Sequence, residues 1–167
     1  LDEYITGKVQ REQAKTELAL LRRALNGGKD FTPLPYYALL AADGDGMGQA
    51  IEAQATQALH QSLSKQLNTF AQEVPGIVEA HQGSLVYAGG DDVLAFVPLH
   101  TVLQCARTLH DQFQFNMANV RYADPKTGEA RSPTLSVGIA ITHHLEPLSD
   151  ALELARAAER KAKELPG

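Results

Sequence analysis

Between the apolar runs Ser84–Ala88 (SLVYA) and Val93–Val97 (VLAFV) stand two glycines and two aspartates, Gly89-Gly90-Asp91-Asp92. Two apolar runs joined by so few residues predict a β-hairpin, and the glycines supply the backbone freedom that a tight turn demands. The turn sets two carboxylates side by side, next to a main chain bare enough for a bulky ligand to approach. Two readings stand at this point: a solvated Gly-Asp turn, and a metal site that receives a phosphate. A second acidic cluster, Asp43-Gly44-Asp45-Gly46, follows another apolar run, Tyr36–Ala42 (YYALLAA), and favours the metal site.

The rest of the pattern gives these clusters a frame. Ile5, Val9, Leu18, Leu21 and Leu25 recur near helical spacing, with Asn26-Gly27-Gly28 as a stop, so residues 1–31 read as a helical extension or linker. Thr32-Pro33-Leu34-Pro35 breaks the chain before a strand at 36–42, apolar nearly throughout and therefore central in its sheet. A long helix is predicted from Met47 to Val74, buried through Ile51, Ala55, Ala58, Leu59, Ser62, Leu63, Leu67 and Phe70, and ended or kinked by Pro75-Gly76. The hairpin follows, then a helix from Leu99 to Met117, a turn or loop from Arg121 to Ser132, and a strand from Pro133 to Ile141. A last helix runs from Pro147 to Leu165 with Leu148, Leu152, Ala155, Ala158 and Ala162 inward. The order β-α-β-β-α-β predicts an α+β fold over residues 32–167. The expected arrangement is ferredoxin-like (split βαβ), a four-stranded antiparallel sheet with helices on one face and an extra C-terminal helix.

Bulk properties narrow the chemistry. A chain of 167 residues, 44% hydrophobic and 21% charged, suffices for one domain with a real core. A net charge of −5 excludes a broad basic nucleic-acid surface and leaves room for a nucleotide bound through metal ions. The single Cys105 excludes a disulfide framework and a cysteine-based zinc site, so a reducing compartment, the cytoplasm, is expected. No membrane span and no leader are read, and the start at Leu1 predicts excision from a longer chain.

In a ferredoxin-like sheet the end of the first strand and the hairpin turn meet at one edge, so Asp43 converges with Asp91 and Asp92. Mg²⁺ takes a few carboxylates and fills its remaining positions with water and phosphate oxygens. Two such ions activate a hydroxyl and stabilise a leaving pyrophosphate. Gly44, Gly46 and Gly48 let backbone N–H groups approach phosphates at the start of the following helix. Asp45 has two readings, a helix cap and a metal ligand. Adjacent His143-His144 point apart on an extended chain and read as surface. Arg156, Arg160 and Lys161 read as solvation of the last helix.

Residues 36–48 (YYALLAADGDGMG), 84–99 (SLVYAGGDDVLAFVPL) and 134–163 (TLSVGIAITHHLEPLSDALELARAAERKAK) together resemble the cyclase-like palm domain of the large polymerase-cyclase subunit of type III CRISPR effector complexes, the III-B branch above all. The resemblance implies synthesis of cyclic oligoadenylates from ATP when the complex, with its guide RNA, binds target RNA, using two Mg²⁺ or Mn²⁺ ions. It implies Asp43, Asp91 and Asp92 as catalytic metal ligands with Gly44, and a triphosphate contact from Lys163. A nucleotide border is implied at Ser136 and Gly138, joined by Gly44, Asp45, Gly46, Met47, Gly48, Gly89 and Gly90. The partners implied are the other subunits of that ribonucleoprotein and a second palm domain or a homodimer, without which the isolated domain is expected to be weak or inactive.

More distantly the chain resembles GGDEF diguanylate cyclases. Ile51 stands where those carry the guanine-reading asparagine, and no Arg-x-x-Asp inhibitory site precedes the hairpin, so adenine is expected over guanine. Two alternatives remain, another cyclic-nucleotide synthase, including a stand-alone CRISPR-polymerase-like enzyme, and a nucleotide-binding scaffold without turnover. No His-Asp nuclease signature occurs in these residues.

Overall fold

The computed structural model describes residues 2–25, 34–125 and 127–164, and divides into two compact units, residues 1–35 and 36–167. Among the described residues the first holds the helix α1 (Asp2–Leu25), on which Leu18, Leu20 and Leu21 are exposed. The expected stop at 26–28 lies outside the described residues.

The second unit is a four-stranded antiparallel sheet built from β1 (Tyr36–Asp45), β2 (Ser84–Gly89), β3 (Asp92–Val97) and β6 (Thr134–His143), in the order β2-β3-β1-β6. This is the ferredoxin-like order, with β1 central as its apolar run requires. The period of two along β1 divides its side chains between two cores. Ala38, Leu40 and Ala42 join the main core with Phe70 and Val74 of α3 (Gln57–Ala80) and Cys105, Leu109 and Phe113 of α4 (Val102–Met117). The rings of Phe70 and Phe113 meet edge to face at its centre, 5.0 Å between centroids. Leu39 and Ala41 face the opposite side, where Ala151 and Ala155 of α5 (Leu148–Lys163) cover them. The extra C-terminal helix thus closes the face that α3 and α4 leave open.

Several expectations need correction. The helix expected over 47–74 is two, α2 (Met47–Glu52) and α3, because Thr56 starts a new helix by accepting the Leu59 N–H on its hydroxyl. Ile51 and Leu59 are consequently exposed, and α3 buries Leu63, Phe70, Val74 and Val78. Pro75 does not end α3, which runs five residues further to Ala80. The expected loop over 121–132 contains a small hairpin, β4 (Tyr122–Ala123) with β5 (Ala130–Arg131). Leu148 is 52% exposed, while α5 buries Ala151, Ala155 and Glu159.

The reason lies beneath α5. A Cβ on Gly138 of β6 would run into the Ala155 carbonyl and the Glu159 amide, so helix and strand touch backbone to backbone. Small residues on the helix and none on the strand permit that approach. Gly138→Ala is therefore expected to cost about 1–3 kcal/mol, since the obstacle is main chain that cannot step aside. Gly76→Ala in α3, where a Cβ meets nothing within 4 Å, should be neutral or stabilising by about 0.5–1 kcal/mol. Urea unfolding of the two variants against the parent checks this, and equal midpoints would refute the close contact.

Candidate active site

β1 extends three residues past its apolar run because β6 keeps pairing with it, Asp43 opposite Ser136, Gly44 opposite Leu135 and Asp45 opposite Thr134. Strand alternation then turns Asp43 and Asp45 to the α5 side, the face of Leu39 and Ala41. Ser136 Oγ donates to Asp45 Oδ2 at 2.6 Å and Thr134 Oγ1 donates to the same oxygen at 3.2 Å. Asp45 is therefore no helix cap. The residue before α2 is Gly46, in the left-handed region at φ 74°, with no side-chain bond to the helix. A Cβ there would strike the Tyr122 hydroxyl.

The β2–β3 hairpin closes with Gly89 opposite Asp92, leaving Gly90 and Asp91 as its two turn residues. Gly90 alone of this pair has a positive φ, 66°, the sign pattern of a type II′ turn. The turn folds Asp91 onto Gly44, where a Cβ would stand 2.6 Å from Asp91 Oδ2, so only glycine lets the hairpin carboxylate sit against β1. The Gly44 amide lies close enough to the carboxylates of Asp43 and Asp91 to favour their charged forms.

Lys163, in the last turn of α5, completes the cluster. Its ammonium donates to Asp43, lies 3.0 Å from Glu159 Oε1 and 3.8 Å from Asp45 Oδ1. Glu159 is only 7% exposed, a buried carboxylate one turn before the lysine. Asp43, Asp45, Asp91, Asp92 and Glu159 are thus gathered around one cation.

The proton affinities record this crowding. The Asp92 carboxyl is pushed up to about 6, first by its hydrogen bond with Asp43, then by burial and by the charges of Asp43 and Asp91. Burial, followed by the Asp43 charge, also raises Asp91, against the opposing bonds from its own amide and from that of Gly44. For Asp43 burial acts upward too, but the bonds from Lys163 and Asp92, the lysine's charge and the Gly44 amide together hold it below the usual carboxylate range. Burial opposes the Lys163 charge, yet Asp43 and Glu159 raise the lysine to about 12. Among the described residues no three Asp, Glu, His or Cys side chains form a ready-made metal cage. The donors nonetheless suit a hard divalent cation, being carboxylate oxygens whose mutual repulsion such an ion relieves.

Two cavities flank the cluster, and Lys163 lines both. One, of about 500 Å³, lies between β3 and α5 and is walled by Asp43, Asp92, Tyr87, Arg156, Glu159 and Arg160. The other, of about 1100 Å³, runs beside β6 and includes Asp45, Ser136, Thr134, His110, Arg121 and Arg131. The structure therefore brings together Asp43, Gly44, Asp45, Gly89, Gly90, Asp91, Asp92, Ser136 and Lys163. Gly46 and Gly48 flank Met47 at the start of α2, and Gly48 has open space above it. The Met47 side chain is in the main core and Gly138 lies beneath α5, so neither presents a side chain to a ligand. His143 pairs with Tyr36, seven residues from Asp43 along β1 and so about 23 Å away. The sequence reading missed Glu159 as a site residue, and its only signal was a glutamate among alanines, four residues before a lysine.

Residues 36–167 match the family described as Cas10/Cmr2, second palm domain. The chain belongs to this family. It is 33% identical over 162 residues to the CRISPR system Cmr subunit Cmr2 of Pyrococcus furiosus, an alignment that covers 81% of this chain and 18% of the relative. This chain thus corresponds to less than a fifth of that protein's length. Csm1 of T. onnurineus superposes with a TM-score of 0.65 at 16% identity, over 77% of this chain and 20% of Csm1. The GGDEF domain of PA1120 from Pseudomonas aeruginosa gives 0.51 at 20% identity, over 92% and 83%. These two likenesses concern the fold alone, one shared by Csm1 and a GGDEF domain.

The Asp92 proton makes a pH test of this palm site. In the unfolded chain the carboxyl titrates near its ordinary 3.8, while in the fold it holds its proton to about 6. A raised carboxyl stabilises the fold fully below the unfolded value and loses that contribution as pH rises through about 6. Asp92→Asn, with divalent ions removed, should raise the melting temperature at pH 7.5 and leave it nearly unchanged below pH 4. A shift of equal size at both pH values would show that Asp92 carries no such strain.

Proposed function

We propose that this palm domain is the nucleotidyltransferase centre of a type III CRISPR effector complex, joining ATP into cyclic oligoadenylates. The observation that carries this reading is the convergence of Asp43, Asp91 and Asp92 with Lys163 where the end of β1 meets the hairpin turn. Likenesses add support, since the Csm1–Csm4 cassette, the same fold at 16% identity, has been solved in complex with AMPPNP, with pppApA and with cA4.

In the reaction, the 3′-hydroxyl of one ATP attacks the α-phosphorus of another. A phosphodiester forms, the α–β bond breaks, pyrophosphate leaves, and the hydroxyl proton passes to solvent or a carboxylate. Asp43, Asp91, Asp92 and the Gly44 carbonyl would hold two Mg²⁺ or Mn²⁺ ions, which supply neutralisation of phosphate charge and acidify the attacking hydroxyl. Lys163, tied to Asp43 in the free site, turns its ammonium to the triphosphate while Glu159 keeps the side chain at the same edge. Backbone amides from Gly44 to Gly48 approach the phosphates, and Asp45, fixed by Ser136 and Thr134, holds the strand end that carries them. The other subunits, guide RNA and target RNA govern when this happens. The second nucleotide is presented across from a second palm domain or a second copy.

Replacing both Asp91 and Asp92 by Ala should abolish condensation and leave the hairpin folded, because removing two repelling charges from a turn does not weaken it. Lys163→Ala should lower kcat/KM by about a hundredfold. Mass analysis of products from the complete complex with target RNA, Mn²⁺ or Mg²⁺ and each NTP decides both, and undiminished product from the double variant would reject the assignment.

The base is set by what α2 lacks. Ile51, 46% exposed, offers an apolar side chain where a guanine reader would offer an amide. ATP should therefore bind more tightly than GTP at equal Mg²⁺, measured by calorimetry. Tighter GTP binding would return the domain to the diguanylate class.

A further inference from the structure

The cavity between β3 and α5 carries two cations that the reaction described above does not use. Arg156 and Arg160 stand one turn apart on α5, and seven and three residues before Lys163, so their Cα atoms lie about 10 and 4.5 Å from it along the helix axis. The same cavity holds Asp43, Asp92 and Glu159, yet neither arginine forms an ion pair with them or with any other described residue. Arginines serving only to neutralise the acidic cluster would pair with it, and Lys163 does so instead. The third feature is Tyr87, whose hydroxyl end overlies Gly89 and whose half-exposed ring forms the β2 side of the cavity.

A cationic wall, an acidic wall and an aromatic face in about 500 Å³ describe a polar ligand with unlike ends. We propose that this cavity is a subsite for a nucleoside 5′-phosphate, with Arg156 and Arg160 on the phosphate, Tyr87 against the base and the 3′-hydroxyl toward Asp92. The orientation makes the occupant the attacking nucleotide. The opposite orientation would press phosphates on Asp43, Asp92 and Glu159 and leave the arginines without an anion. Resting on the nucleotidyltransferase reading, the subsite places part of the second nucleotide's binding within this domain, so that the facing palm or copy closes over it. It also revises the reading of Arg156 and Arg160 as mere solvation.

The test measures binding in the absence of divalent ions, so that it does not depend on turnover. Equilibrium dialysis of the complete protein against labelled AMP and adenosine in EDTA compares the parent, Arg156→Ala/Arg160→Ala and the control Arg107→Ala on α4. The parent and the control should hold AMP about tenfold more tightly than adenosine, and the double variant should lose that difference with adenosine binding unchanged. Equal binding of AMP and adenosine by the parent, or AMP binding unaltered in the double variant, overturns the subsite. Condensation of ATP is assayed on the same preparations. AMP binding that depends on the arginines, in a protein that makes no oligoadenylate, retains the subsite and rejects the cyclase reading. Full condensation with AMP binding indifferent to the arginines rejects the subsite alone.

Discussion

Ten residues of β1 pair with β6 without interruption, and the site depends on the last three of them. The apolar run that makes β1 a central strand ends at Ala42. A free chain beyond it would disperse Asp43 and Asp45 into solvent. Because β6 continues alongside, both aspartates inherit the strand's alternation and face the same helix. The pairing also supplies what Asp45 needs, since burying a carboxylate without hydrogen bonds costs several kcal/mol and the two hydroxyls that bond it stand on the adjoining strand. Backbone register thus does the work that a loop sequence would otherwise have to encode.

Charge is what this arrangement concentrates. Five carboxylates and one ammonium leave a formal deficit of four positive charges, reduced by the proton that Asp92 retains to about pH 6. Lys163 bridges strand and helix by touching Asp43 and Glu159 at once, so it couples the carboxylates of β1 to the buried glutamate of α5. Such a cluster is tolerable in a protein because it is half open to water, and it is poised for any ligand that brings cations with it. A nucleotide accompanied by divalent ions would do so, and in the proposed reaction its phosphates give Lys163 a new acceptor.

Much of this was legible in the sequence. Apolar runs and turn residues gave the strand order, the hairpin and the meeting of Asp43 with Asp91 and Asp92, because short-range pattern determines each of them. The break between α2 and α3 was not legible, since Thr56 looks like an ordinary helical residue until its hydroxyl is seen capping Leu59. The small β4–β5 hairpin hid in polar sequence for a similar reason, its two-residue strands being too short to alternate. On α5 the expected inward residues Ala155 and Leu152 do face the core, but Leu148 is exposed and Ala151 and Glu159 are buried instead. Leu148 attracts attention as a large apolar residue at the start of the helix, whereas contact at Gly138 selects small ones. Periodicity reports hydrophobic size, and this interface is decided by how closely two backbones approach.

That approach links packing to chemistry. On α5 the buried stripe Ala151, Ala155 and Glu159 and the stripe Arg156, Arg160 and Lys163 are neighbours on the helix surface, displaced by about one residue. Where the first stripe seats fixes how far the second stands from the sheet. Were α5 held off by a side chain at position 138, Lys163 would retreat from Asp43 and the arginines from the β3 wall together. The glycine expected to border a nucleotide therefore shapes the site from beneath the helix: Gly138 sets the height of the helix, and the height of the helix sets the distance between cations and carboxylates.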